Sequence, residues 1–246
     1  TAYHNGSALV TNIGTAYESQ VVKYARVFGG HIENVERAFN FQNFNMLSKV
    51  HDIEVYNARR FGVFDACFYA AFENCMHSGG TINSIPSFLF SSANNAITLK
   101  AITTTTAWCY HFSGGTTAVI LSGCTTEGGT TAIKITGDCL GLVIEGHYAE
   151  AVKDFLDMSD AGTTSLRVSG GYFNYVDRVF VRGVGSTFGT WDASNSIVNI
   201  GGVIGGYTYR GLMEVDARLN FVKFELRSND ATDATIPSNW IISKNS

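Results

Sequence analysis

The sequence predicts an all-β chain wound as a right-handed parallel β-solenoid of about ten coils, each 22–25 residues long. Three observations carry that expectation. Residues recur at a fixed spacing: Leu142/Leu166, Ile144/Val168, Gly146/Gly170 and Tyr148/Tyr172 lie 24 apart, and Val27/Val50, Asn34/Asn57 and Arg37/Arg60 lie 23 apart. Within each unit the apolar residues alternate with period two, the signature of strands rather than helices. Charges one period apart are mostly opposite: Glu36 faces Arg59, His31 faces Glu54, Lys153 faces Asp177 and Asp154 faces Arg178, with Arg37/Arg60 the exception. Stacked coils favour such pairs. The right hand follows from the handedness of crossovers between parallel strands.

The elements follow in order. Val27-Phe-Gly-Gly-His-Ile-Glu-Asn34 reads as a strand running into a Gly-Gly turn, with Asn34 and Asn57 placed to form an amide ladder. Residues 79–95, with Pro86, read as a loop insertion. The Thr-rich stretches 103–106 and 125–131 suit strands and turns. Leu142, Ile144, Gly146 and Tyr148 are expected to face one way, and Val143, Glu145 and His147 the other. Residues 183–196, with Trp191, read as a second insertion. The solenoid body is expected over 1–228, and the polar 229–246, with Pro237 and Trp240, as a C-terminal loop or cap. Thr1 is no initiator, so the chain is expected to be a piece of a longer protein.

Composition narrows the function classes. Hydrophobic residues make up 45% and charged residues only 15%, which excludes a disordered chain. A net charge of −4 without a basic stripe argues against nucleic acid as the partner. Apolar runs are too short for membrane insertion. Five cysteines (Cys67, Cys75, Cys109, Cys124, Cys139) without a CxxC pair read as buried, reduced thiols. No metal-ligand spacing and no nucleotide loop stands out, so neither a metal nor a cofactor is expected.

Coils such as Val168-Ser-Gly-Gly-Tyr-Phe-Asn174 and Val27 to Asn34 resemble those of the right-handed parallel β-helix, the pectate-lyase-like superfamily, in the style of bacteriophage tailspikes and capsule depolymerases. The resemblance covers roughly 20–228. Plant-type polygalacturonase and pectate lyase signatures are missing. The resemblance implies a homotrimer that binds, and often cleaves, a bacterial surface polysaccharide: capsule, O-antigen or exopolysaccharide. It also implies assembly in the host cytoplasm, attachment to the virion tail through an N-terminal part, and action outside the cell. A glycan-binding or structural fibre segment without catalysis, or a polysaccharide lyase on the same fold, is the alternative.

Glycoside hydrolysis needs two carboxylates. The local candidates are Asp154 and Asp157, with Glu127 about one coil upstream, an arrangement similar to that of tailspike endorhamnosidases. Glu150 and Asp177 come next, and Glu33, Glu54, Asp65 and Glu73 form a further acidic line. A lyase would draw its base from His147, Tyr148, Lys153, Tyr172 or Arg178. Aromatic faces stack on sugar rings, which nominates Phe173, Tyr175, Trp191, Tyr207 and Tyr209 as substrate-binding, with Arg178. Val119 and Val143, with Leu121, are the expected apolar outer face for the trimer.

Overall fold

Short runs of alternating apolar residues cannot bury one face alone, so each strand stacks on its equivalent one coil away. The computed structural model describes residues 8–9, 15–19, 22–79, 84–182, 187–200, 203–204, 207–208, 212–216, 219–221, 225–228 and 241–244, with side chains at 23–79, 84–182 and 188–190. Val27, Val50, Phe72, Leu99, Leu121, Ile144 and Val168 are successive partners in parallel register. The same column continues through the backbone of Trp191 and Phe221. This is a parallel β-solenoid of about seven turns. The expected ten exceeds this slightly, since some coils are longer than 22–25 residues, as the 26 from Gly62 to Phe88 and the 30 from Trp191 to Phe221 show.

Each coil has three faces. The first holds Arg37–Gln42, Arg60–Asp65, Phe88–Ser91 and Trp108–Ser113, then 131–136 and 154–160. The second holds Phe68–Glu73, Asn94–Lys100 and Thr116–Ser122, then 139–145 and 164–169. The third holds Met76–Ser78 and Thr103–Thr105, then 125–127 and 148–150. The lumen is apolar and rich in rings: Phe64, Phe90 and Phe112 stack at centroid distances of 5.2 and 5.1 Å, and Phe61 on Phe88 at 4.2 Å. Such buried ring ladders supply most of the area taken from water.

Corners are set by left-handed residues that recur in register. The corner between the second and third faces is Gly29, Asp52, Asn74, Ala101, Gly123, Gly146 and Gly170, all at positive φ. Glycine and short polar residues adopt that region with the least strain, which is why glycine repeats here. The expected Asn ladder is present at another corner, where Asn57 Nδ2 donates to Asn34 Oδ1 at 2.6 Å. Three of the expected charge pairs also form: Glu36–Arg59 at 2.8 Å, His31–Glu54 at 3.4 Å and Asp154–Arg178. In the fourth, Lys153 is exposed whereas Asp177 is buried.

Several expectations are corrected. Val119 and Leu121 line the lumen; their neighbour Ile120 is the outward residue, and it pairs with Val143 at a spacing of 23 rather than 24. His147 is buried, because the corner at Gly146 interrupts the alternation. Inside the expected 79–95 insertion, Phe88–Ser91 and Asn94–Lys100 are coil strands. The coil from Gly62 to Phe88 takes 26 residues, against 22 from Phe88 to Tyr110, so the excursion is short. Thr187–Ile200 is a strand paired with 164–173, not a loop leaving the coil. Ile241–Lys244 pairs in parallel with Leu212–Asp216, so the sheet continues beyond 228.

Candidate functional site

The third face gathers polar and aromatic side chains on its outer side. Thr125 pairs with Tyr148 and Glu127 with Glu150 in one parallel register. Tyr172 lies one coil further, its N–H donating to the His147 carbonyl at 2.9 Å. The rings of Tyr148 and Tyr172 stack at 5.5 Å with planes 4° apart. That is an offset stack, in which each ring leaves part of its face open. Tyr148 Oη donates to Glu150 at 2.5 Å, and Asn174 Nδ2 donates to the other Glu150 oxygen at 2.8 Å. Tyr175 sits half-exposed at the adjoining corner with φ 52°.

Glu127 and Glu150 oppose each other on adjacent coils, an arrangement that costs stability when it has no function. Glu150 is fixed by two donors, while Glu127 makes no hydrogen bond among the described residues. The hydrogen bond to Glu150, then burial and the charges of Glu150 and Glu127, push the Tyr148 phenol up to about 12. Tyr148 therefore stays protonated near neutral pH and donates to Glu150. His147, behind it, is enclosed, and burial pushes its imidazole down to about 3.

Asp154 and Asp157 lie on the first face, around the corner at Ala151 (φ 53°) from Glu150. Both are nearly buried, 6% and 9% exposed, and flank Phe155 and Leu156, which point inward in succession, a bend that recurs in each coil as the pattern of Trp108-Cys-Tyr-His111 and Thr131-Ala-Ile-Lys134. Each acid is matched by a cation. Arg178 grips Asp154 through Nε at 2.5 Å and Nη2 at 2.6 Å. Lys134 sits 3.6 Å from Asp157 and 2.7 Å from Asp160, holding Asp160 below the usual carboxylate range. Glu127 thus belongs with Glu150 and not with the Asp154–Asp157 pair.

No family model, curated protein or solved structure matches the chain. The site is therefore read from its geometry alone.

The remaining candidates divide by placement. Phe173, expected to bind substrate, is fully buried and packs on Phe155 at 4.7 Å, because the inward positions of the coil fall on it. Asp177 is buried as well, to the same extent as Asp154. The side chains of Trp191 and Tyr207, and all of Tyr209, lie outside the described residues; the Trp191 backbone continues the second-face column, and Tyr207–Thr208 pairs antiparallel with Val203–Ile204. The acidic line is dispersed: His31 sits 3.4 Å from both Glu33 and Glu54, Lys49 pairs with Glu73 at 2.5 Å, and Ser91 donates to Asp65 at 3.1 Å. Among the described residues no three metal-ligating side chains gather. Sequence reading overlooked the outward Trp108–His111 stack at 5.0 Å, where burial, then Lys134 and Arg60, push the imidazole down to about 4. Their spacing of three runs against strand alternation, which hid them.

Proposed function

We propose that this chain is the body of a tailspike-like protein that binds a bacterial surface polysaccharide and hydrolyses its glycosidic bonds, acting as a homotrimer on a virion tail. One observation carries the reading: Glu127 and Glu150 stand in register on adjacent coils beside the open faces of Tyr148 and Tyr172. Parallel strands lie about 4.8 Å apart, close to the roughly 5–5.5 Å between the two carboxyls of retaining glycosidases. The tyrosine faces would hold a sugar ring against the pair, with one glutamate as nucleophile and the other as acid and then base. Retention of anomeric configuration is the expected outcome.

The test uses the intact protein and purified capsular and O-antigen polysaccharides, the host's own included. Release of oligosaccharides is expected from at least one. Glu127→Gln and Glu150→Gln should each lower the rate at least about a hundredfold. Asp154→Asn should leave turnover within a few-fold and cost about 1–2 kcal/mol of stability instead, since it strands a partly exposed guanidinium. No release from any glycan would sink the hydrolytic reading in favour of a binding or fibre segment. Products with the ultraviolet absorbance of an unsaturated uronate would select a lyase.

A further inference from the structure

Arg37 and Arg60 are in-register partners on adjacent coils of the first face, so two guanidinium groups stack with nothing of opposite charge between them in the register. Apart from Glu127 and Glu150, the described surface stacks opposite charges: Glu36 under Arg59, His31 under Glu54, Lys134 under Asp157 and Asp154 under Arg178. Like charges directly opposite are destabilising. Glu36, the carboxylate that acts on Arg60, is taken by Arg59 at 2.8 Å. Among the described residues, Arg37 Nε is buried and has no hydrogen-bond partner. Burial, then the charges of Arg37 and Arg59, push the Arg60 guanidinium below its usual range.

The same column leads to an aromatic wall. Gly62, Phe88 and Tyr110 are successive partners, which puts Arg60 and Trp108, each two residues before its partner position, on the same face two coils apart, with the buried Pro86 on the coil between. Trp108 Nε1 is buried without a partner, and its ring lies 5.0 Å from that of His111. Two coils, about 10 Å, separate Arg60 from Trp108. A hexuronate laid over the intervening coil would span from Trp108 to the arginines. Paired guanidiniums offer forked donors matched to a carboxylate.

We propose that Arg37 and Arg60 form an anion site that takes the carboxylate of an acidic sugar, with Trp108 bounding the sugar ring. The inference rests on the glycan reading and narrows it to acidic glycans. It makes Arg37/Arg60 and Glu127/Glu150 two departures from charge alternation with one cause, a ligand.

The test is the thermal midpoint of the intact protein in sodium glucuronate, sodium acetate, methyl glucoside and sodium chloride, the salts at equal ionic strength. Glucuronate at a few times its dissociation constant should raise the midpoint by about 2–4 °C over chloride. Acetate should give less, and methyl glucoside nothing. Arg60→Gln and Arg37→Gln should each raise the midpoint in chloride by relieving repulsion and abolish the glucuronate shift. Arg60→Lys, which keeps the charge and loses the fork, should weaken glucuronate binding about tenfold. Arg59→Gln, which frees Glu36 to neutralise Arg60, should weaken the shift, and Trp108→Ala should reduce glucuronate to the level of acetate. Equal wild-type midpoints in glucuronate and chloride, or a shift that survives both glutamine variants, overturns the site. So does loss of an oligomer in Arg60→Gln, since the missing carboxylate would then come from another copy of the chain. Oligosaccharide release without the shift removes the anion site and leaves the hydrolase; the shift without release does the reverse.

Discussion

His77 and His147 point into the lumen and are kept neutral. His77 sits between Ser87 Oγ at 2.5 Å and the Ala58 carbonyl at 3.0 Å, and His147 reaches Thr126 Oγ1 at 3.1 Å. Burial lowers His77 from 6.5 to about 4 and His147 from 6.5 to about 3. Below pH 6.5 the unfolded chain takes up protons that the native chain refuses until about 4 and 3. Stability must then fall as pH drops through that window, by up to about 1.4 kcal/mol per unit of depression for each ring. Denaturant midpoints between pH 7 and 4 should show the decline, and His147→Leu should flatten it; a level wild-type curve would contradict the neutral lumen. The thiols behave alike. All five cysteines are buried and unpaired, and burial pushes Cys67, Cys75 and Cys139 up to about 12 and Cys109 and Cys124 up to about 11. A thiolate-selective reagent should therefore label none of them in the native protein at pH 8 and all of them in denaturant.

Between residue and coil stands the corner, where a change of register changes which side chains meet the lumen. Alternation was legible wherever a strand ran undisturbed, as in Leu142 and Ile144, both inward and both 24 before their partners. It misled by one residue at Val119, because the coil below is 23 long, and a slip of one exchanges inside for outside. It also hid the successive inward pair of the first face, Phe155 and Leu156, which sets Asp154 and Asp157 on either side of it. The glutamate pair was legible as acids one period apart, yet only the corner at Ala151 shows that Glu127 belongs with Glu150. Corners can be tested singly. A methyl on Gly129 would meet the carbonyl oxygens of Ala107 and Thr106 at 2.6 Å, backbone atoms that cannot swing aside. Gly129→Ala should cost about 1–3 kcal/mol. A methyl on Gly128, at φ +61°, meets nothing within 4 Å. Gly128→Ala should cost only the roughly 1 kcal/mol of a left-handed backbone. Reversed ranking in denaturant melts would mean that dihedral strain, not crowding, governs this corner.

At the scale of the molecule, one corner of the stack is apolar on the outside. Tyr24, Leu47 and Tyr69 are 70%, 74% and 58% exposed and all left-handed, with Leu47 N donating to the Tyr69 carbonyl at 2.9 Å. Met46, next to Leu47 in the chain, is 44% exposed and also left-handed. Large side chains at positive φ are strained, and exposing them as a line adds unfavourable contact with water. A covering partner removes the second cost and explains why the first is tolerated. In the homotrimer proposed above that partner is two further copies of the chain, and this corner, not the Val119 face, would line the three-fold axis. Light scattering of the intact protein should give about 80 kDa, three times the chain mass of 26.6 kDa. Leu47→Glu with Tyr69→Glu should lower it to the mass of one chain, because unpaired carboxylates cannot be buried in an apolar seam. The double variant should keep its parallel-sheet circular dichroism, since neither side chain enters the lumen. A wild-type chain that stays monomeric at every concentration would leave the corner's apolar line without a role, and a trimer that survives both glutamates would move the interface to another face.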